Sequence, residues 1–376
     1  MKKLGDLNVK GKTVLLRTDL NSDVVKGKVI LSERIKEAVG SIKMLKERGG
    51  KVVVIAHQGR PGKSNFVSLK QHAKLLNKFV KVKFVSDVIG SLASGEIDGL
   101  MDGEVILLEN IRGVKDEFKP SRGNSIVKFF KGKIDVYVND AFSVCHRKQT
   151  SILLPKYIKM NCGAGLVLDK EVRALKKLKL NGGGTVFILA GAKPKDNLKL
   201  LGKNKILSCG LFGQTCLFSK GKKLGAQEKY LRKEGALVKI ASGKLKKVET
   251  PVDFGVRMNG KRREILLDDF PSEYEIFDIG SETIKNYVDV IKKAKAIYMK
   301  GPAGDCSDKK FCKGTFALLN AIAKSGAYSV IGGGHLSDAI EMSGISKKKF
   351  GHVSLSGGAL LAWIGGEKLP GIDALK

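Results

Sequence analysis

The stretch Lys51-Val52-Val53-Val54-Ile55-Ala56-His57-Gln58-Gly59-Arg60 decides the fold. Val52 to Ala56 are uninterrupted apolar residues, rich in β-branching and too few for a helix. They predict a strand buried on both faces, as in a parallel sheet covered by helices. Upstream, Ile35, Ala38, Val39, Ile42 and Leu45 recur at helical spacing and stop at Gly49-Gly50, a helix C-terminal signal. Downstream, the strand runs directly into His57 and Arg60. The same unit recurs along the chain, with strands expected over 13–19, 51–56, 82–86, 104–109, 134–139, 185–190, 205–209, 236–241, 295–300, 327–331 and 350–354. A further helix is expected to open at Ser68 with Gln71 three residues on, a capping box. Alternation of this kind over 376 residues predicts an α/β protein of two doubly wound parallel-sheet domains joined by a hinge helix. The expected boundaries are 1–168, a linking helix 169–181 ending at Asn181-Gly182-Gly183-Gly184, 182–355, and a segment 356–376 returning to the N-terminal domain.

Composition narrows the partners. The chain is 43% hydrophobic and 28% charged, ordinary for a globular protein, and no apolar run reaches the ~20 residues of a membrane span. The N-terminus turns polar before a signal-peptide core could form, so a cytoplasmic protein is expected. Lys plus Arg number 69 against 37 Asp plus Glu, a net charge of +32. That field attracts nucleic acid, anionic membranes or phosphorylated metabolites. Aromatic residues are 6% and Lys is spread through the whole chain, which argues against a dedicated nucleic-acid binder. Six cysteines show no CxxC pair and no zinc spacing, so reduced thiols are expected.

Ligands of open parallel sheets bind beyond the carboxyl ends of the strands. In the first half those ends carry Arg17, Asp19 and Asn21; His57 and Arg60; Asn110 and Arg112; Asp140, His146 and Arg147. Four of the 12 Arg thus converge on one rim, whose forked donors suit phosphate and carboxylate. In the second half the ends carry glycine instead: Gly191-Ala192-Lys193, Gly301-Pro302-Ala303-Gly304 and Gly332-Gly333-Gly334. Glycine turns before helices bring backbone N–H groups onto phosphate. Other signatures fail. Gly11-Lys12-Thr13 and Gly62-Lys63-Ser64 lack the earlier glycine of a Walker A loop, and no GxGxxG follows a strand.

Taken together, Arg17-Thr18-Asp19-Leu20-Asn21, His57-Gln58-Gly59-Arg60-Pro61, Leu107-Leu108-Glu109-Asn110-Ile111-Arg112, Asn139-Asp140-Ala141-Phe142 through His146-Arg147, Gly191-Ala192-Lys193, Gly301-Pro302, Lys313-Gly314-Thr315 and Leu369-Pro370-Gly371 resemble the phosphoglycerate kinase family, in order and spacing. The resemblance implies reversible phosphoryl transfer between 1,3-bisphosphoglycerate and ADP, giving 3-phosphoglycerate and ATP. It implies glycerate binding by Arg17, Asp19, Asn21, Arg34, His57, Gln58, Gly59, Arg60, Arg112 and Arg147. Nucleotide with magnesium is implied at Gly191, Lys193, Asn197, Gly301, Ser307, Asp308, Gly332, Gly333, Gly334 and His335, with Arg34 and Lys193 catalytic; the metal ligands are not identified. A monomer is expected, with no specific nucleic-acid partner and no membrane.

Departures from the family's commonest pattern cluster on the nucleotide side. Asn197 stands where a Lys usually follows Lys193, and Lys300 stands where Asn usually precedes Gly301. Ser307, with Asp308 beside it, occupies the place of a ribose-binding Glu, and His335 that of an Asp toward magnesium. Gly-Gly-Gly-His resembles archaeal members. The cationic work of the absent Lys falls, on this reading, to Lys193, backbone N–H groups and magnesium. Two rival readings remain open: a catalytically weak relative that binds polyanions, and an acyl-phosphate kinase for another acid.

Overall fold

The computed structural model describes residues 1–178, 180, 184–202 and 204–376, and its long apolar runs form two all-parallel sheets. The expected junction residues Asn181, Gly182 and Gly183 lie outside the described residues. The chain divides into two compact units, Met1–Arg173 with Gly366–Lys376, and Ala174–Gly365.

In the first unit the seven strands run in the order Lys2–Lys3, Asn161–Ala164, Val136–Asn139, Thr13–Arg17, Lys51–Ile55, Val105–Leu108, Lys83–Val85. The chain begins on the edge strand Lys2–Lys3, crosses to Thr13–Arg17 in the middle, winds out to the far side, and returns through Val136–Asn139 and Asn161–Ala164. Its direction reverses between Thr13–Arg17 and Val136–Asn139, which are paired so that Arg17 lies opposite both Asn139 and Ile55. A crevice opens at such a switch point beyond the strand ends. Val14, Leu16, Val52 and Val54 pack against Ile35, Ile42 and Leu45 of the helix Glu33–Glu47, whose N-cap Ser32 accepts from the Ile35 N–H. The capping box at Ser68 is not formed. The helix is Lys70–Leu76; Gln71 instead accepts from Val29 N–H and donates to Gly27 O, so a tertiary partner outcompetes the local one. Residues 366–376 complete this unit, with Asn139 Nδ2 donating to Gly371 O and Gly371 N–H to Cys145 O.

The second unit repeats the plan with six parallel strands, Val248–Glu249, Lys205–Ser208, Thr185–Leu189, Ala296–Lys300, Tyr328–Gly332 and His352–Ser354. Winding reverses between Thr185–Leu189 and Ala296–Lys300. The strand ends lie level there: Leu189 opposes Lys300, and Lys300 opposes Gly332. The expected strand 236–241 does not exist. Thr215 Oγ1 and Ser219 Oγ donate to the carbonyls of Ala236 and Val238, and Val248–Glu249 takes the edge. A three-stranded antiparallel sheet of Lys261–Leu266, Asp253–Met258 and Ile276–Ile279 also stands outside the expected plan. Its hairpin turns at Asn259-Gly260, both at positive φ, the Asn-Gly signal of a two-residue hairpin.

The helix placed at 169–181 spans Leu166–Lys177, its entry held by Asp140 Oδ1, which accepts from Val167 and Leu168 N–H. No helix among the described residues is long and apolar enough to cross a membrane.

Candidate active site

At the switch point of the first sheet the arginines fall into two tiers. Arg17 is fully buried. Its Nε donates to Ser151 Oγ at 3.0 Å, an Nη1 hydrogen bond reaches Thr18 O, and Nη2 meets His57 Nδ1 at 3.2 Å. Ser151 in turn donates to Glu117 Oε1 at 2.7 Å, and Glu117 Oε2 accepts from the Ser151 N–H. Arg17 therefore lies beneath the rim and orients His57, fixing Nδ1 as acceptor and Nε2 as the protonated nitrogen. Burial, with Arg17 next, pushes the His57 titration well below its ordinary value, so the ring is neutral at pH 7. Gln58 is also fully buried, bonding Ser22 and His72. Both residues scaffold the rim on which the sequence reading had placed them.

The upper tier is different. Arg112 is buried and donates through Nη1 to Gly59 O, but its Nε and Nη2, and the Nε of Arg147, are buried without an acceptor among the described residues. Burial, then the charges of Arg147 and Arg17, lower the Arg112 titration to about 10. Arg147 is lowered by burial and then by Arg60. Arg60 itself is exposed. A cluster that disfavours its own charge, with donors left over, is relieved by an anion. Across from it, Asp19 pairs with Arg34 at 3.4 Å and accepts from Ser143 Oγ and Asn21 N–H. Burial pushes this carboxyl up, but the Arg34 charge and the hydrogen bonds from Ser143 and Asn21 outweigh it and hold it below the usual range. Asn21 Oδ1 accepts from Gly59 N–H at 2.8 Å. Gly59 has φ +64°, and a Cβ there would lie 2.2 Å from Asn65 O, so only glycine carries the chain past that point. Ser143, Ser151 and Glu117 were invisible as site residues because hydroxyls and a lone Glu carry no spacing signal.

In the second unit a cavity of about 620 Å³ opens beyond the strand ends. Gly191, Ser307 and His335, all expected, line it, as do Ala192, Pro302, Ala303 and Gly304. Gly301 packs beneath: the Cβ that Gly191 lacks would lie 3.3 Å from Gly301 Cα. Lys193 follows the lining residues as the exposed N-cap of the short helix Pro194–Asn197. Gly332, Gly333 and Gly334 lie outside the lining and lead into the helix Gly334–Ser343, on which His335 and Asp338 face the cavity. Two placements differ from expectation. Asp308 is engaged by Arg257 at 3.2 Å and caps Lys310 N–H, away from the lining; Asp305 lines the cavity and accepts from Ser307 Oγ at 2.7 Å. Asn197 is fully buried, donating to Ala190 O and accepting from Lys300 Nζ at 2.8 Å.

The thiol expectation is also corrected. Cys306, in the cavity wall, is bonded to Cys312 across a Cα separation of 4.5 Å. A six-residue spacing escapes motif reading, but the turn over Lys309–Phe311 brings the pair together. Cys145, Cys162, Cys209 and Cys216 are free.

Two doubly wound sheets, one ending in guanidinium groups and the other in glycine turns, define an α/β protein whose strand-end rims both suit phosphate groups. The family model "Phosphoglycerate kinase" matches residues 4–367. The phosphoglycerate kinases of Aeropyrum pernix and Pyrococcus furiosus are 38% and 39% identical, covering 99% and 100% of this chain and 95% and 97% of those proteins. The crystal structure of phosphoglycerate kinase from Pyrococcus horikoshii superposes with a TM-score of 0.89 at 34% identity, covering 100% of this chain and 98% of that one. The Coxiella burnetii enzyme gives 0.83 at 30%, again over 100% and 98%. The chain belongs to the phosphoglycerate kinase family, and it is an enzyme, a kinase that transfers phosphate. Neither rival reading, a catalytically weak relative that binds polyanions or a related acyl-phosphate kinase for another acid, is favoured.

Proposed function

We propose that this chain transfers a phosphoryl group between 1,3-bisphosphoglycerate and ADP. In the forward direction a β-phosphate oxygen of ADP forms the new P–O bond, the bond to the acyl oxygen breaks, and 3-phosphoglycerate and ATP are left. The observation that carries the reading is the surplus of buried guanidinium donors on Arg112 and Arg147, set over a neutral His57. Arg60, Arg112 and Arg147 would hold the anionic groups of the glycerate. Asp19 and Asn21 would take its hydroxyl, and Arg34, a quarter to a third exposed beside Asp19, would meet the transferring phosphoryl. Such a transfer needs little covalent help from the protein, so positioning and charge compensation carry it.

On the nucleotide side the phosphates fit the Gly191 and Gly301 turns and the start of the helix Gly334–Ser343, with Lys193 beside them. The apolar wall of Leu211, Phe254 and Ile276 suits the base, and Asp305 with Ser307 suits the ribose hydroxyls. Magnesium is held by one or two carboxylates together with substrate phosphates. No group of three or more His, Cys, Asp or Glu suited to a metal occurs among the described residues, and Asp338 is the carboxylate that fits this sparser role. Magnesium would supply charge neutralisation between the phosphates. The enzyme would work in the cytoplasm as a monomer.

Purified protein with ATP, magnesium and 3-phosphoglycerate is expected to form 1,3-bisphosphoglycerate in a coupled assay. Absence of turnover across magnesium concentrations and temperatures overturns the proposal. Arg147→Ala, or Arg60→Ala, is expected to weaken 3-phosphoglycerate binding by ~1.5 to 3 kcal/mol, the scale of a charge-assisted hydrogen bond. Calorimetry should find ADP affinity nearly unchanged, whereas an equal loss for both ligands would refute the division into two sites.

A further inference from the structure

We infer that Gln214 reads the base of the nucleotide, donating from its amide nitrogen to an unprotonated ring nitrogen of the purine, and that Gln227 is the positioning residue that turns this nitrogen toward the cavity. The inference rests on the functional reading above and adds a specificity-determining contact to it. Both glutamines line the cavity of the second unit. Both are also more than nine-tenths buried, Gln214 at 3% exposure and Gln227 at 1%.

The backbone sets the polarity of the pair. Ile276, the first residue of the strand Ile276–Ile279, donates its N–H to Gln227 Oε1 at 2.8 Å. A backbone N–H can only donate, so the carbonyl end of Gln227 is committed to it and the amide nitrogen points the other way. That nitrogen donates to Gln214 Oε1 at 2.8 Å, which commits the carbonyl end of Gln214 in turn. What is left over is Gln214 Nε2, with two N–H donors and no hydrogen bond among the described residues. The relay is anchored on two helices. Gln227 lies in the first turn of Ala226–Lys233, whose Ala226 N–H donates to Ser272 O at 2.9 Å. Gln214 lies in Gly210–Ser219, three residues after Leu211 and on the same face toward the cavity.

The protein offers that nitrogen little to bond. The wall at this end is made by Leu211, Phe254 and Ile276, whose side chains carry no acceptor. An amide donor left unpaired in an apolar, nearly dry wall costs free energy that a ligand acceptor recovers. One residue along the strand, Phe277 O accepts from Asp305 N–H at 2.8 Å. The glutamines therefore stand beside the residues that suit the ribose, which is where a nucleotide with its phosphates at the glycine turns places its base. The ring nitrogens of a purine hold their lone pairs in the ring plane, open to a donor at the edge. The pair is uncharged, so it adds nothing to the general attraction for phosphate and acts only on the identity of the base.

The test is calorimetric titration of the full chain with ADP and with its 1-deaza, 3-deaza and 7-deaza analogues, each of which replaces one ring nitrogen by C–H. One analogue is expected to bind the parental protein about 3- to 10-fold more weakly than ADP, the scale of one neutral hydrogen bond, with the other two within about twofold. Gln214→Leu should weaken ADP by a similar factor and bind the sensitive analogue as well as it binds ADP. A side chain that only supported the fold would weaken all four ligands alike. Gln214→Glu, close in shape but with an acceptor in place of the donor, should abolish the discrimination too, and it decides where Gln214→Leu does not fold. Gln227→Met, which frees the Gln214 amide to turn, should shrink the discrimination with Gln214 intact. The inference is overturned if all three analogues bind the parental protein within about twofold of ADP, or if a folded Gln214 variant still discriminates; full discrimination in Gln227→Met removes the positioning role. A parental protein that binds ADP without turnover fails the functional reading alone, whereas one that binds no ADP fails both.

Discussion

Lys193→Ala is expected to lower kcat by at least ~10²-fold, or ~2.7 kcal/mol of transition-state stabilisation, with little change in the nucleotide KM. Lys193 stands exposed at the N-cap of Pro194–Asn197, two residues beyond a glycine at φ +85°. Among the described residues no side-chain hydrogen bond or ion pair holds it there. The ground-state phosphates would keep the backbone N–H groups of the glycine turns, so binding survives the truncation. The charge that appears only during transfer loses a cation. Initial-rate measurements over both substrates separate the two parameters. Near-parental kcat would reduce Lys193 to a surface residue.

Glu117→Ala is expected to cost ~3 to 5 kcal/mol of stability, the scale of stripping one partner from a buried charged network. Glu117 is fully buried and takes both the Ser151 N–H and Oγ, through which it faces the Nε of Arg17. Burial pushes its carboxyl up while Arg17 pulls it down, so each charge is tolerated because of the other. Without Glu117, Arg17 keeps its charge in the interior without a facing carboxylate, and its hold on the His57 tautomer loosens. Denaturant unfolding should register the loss, with glycerate binding impaired in whatever protein remains folded. A change within ~1 kcal/mol would mean that Arg17 is neutralised elsewhere.

The basic rim was legible because a parallel sheet makes strand ends and ligand sites the same place. Arg60, Arg112 and Arg147 could be read as a group before any coordinates. Depth could not be read. Arg17 and Arg112 carry the same side chain at equivalent strand ends, yet one is wrapped by Ser151, Thr18 and His57 while the other keeps unpartnered donors. The difference comes largely from Ser151 and His57, 134 and 40 positions away. The same holds at Ser68, where Glu109 and the Gly27 hairpin override the local cap, and at 236–241, where helix hydroxyls take carbonyls that a strand would have used. Asp305 and Asp308 were inseparable by composition; only Arg257, on the antiparallel hairpin, decides that Asp308 is engaged.

Residues 366–376 lie in the first unit although all of Ala174–Gly365 intervenes. They bond Asn139 and Cys145 and bury Ala374 against Ile152 and Leu153. During synthesis the N-terminal unit therefore leaves the ribosome unfinished, with Asn139 waiting on Gly371, made 232 positions later. Closing so long a loop carries an entropic cost that grows with the logarithm of its length. A compact second unit shortens the effective span, so the later domain acts as a tether that delivers the closing segment. The first domain to emerge is the last to be sealed, and a nascent chain stalled before Gly366 carries an arginine rim on an open scaffold.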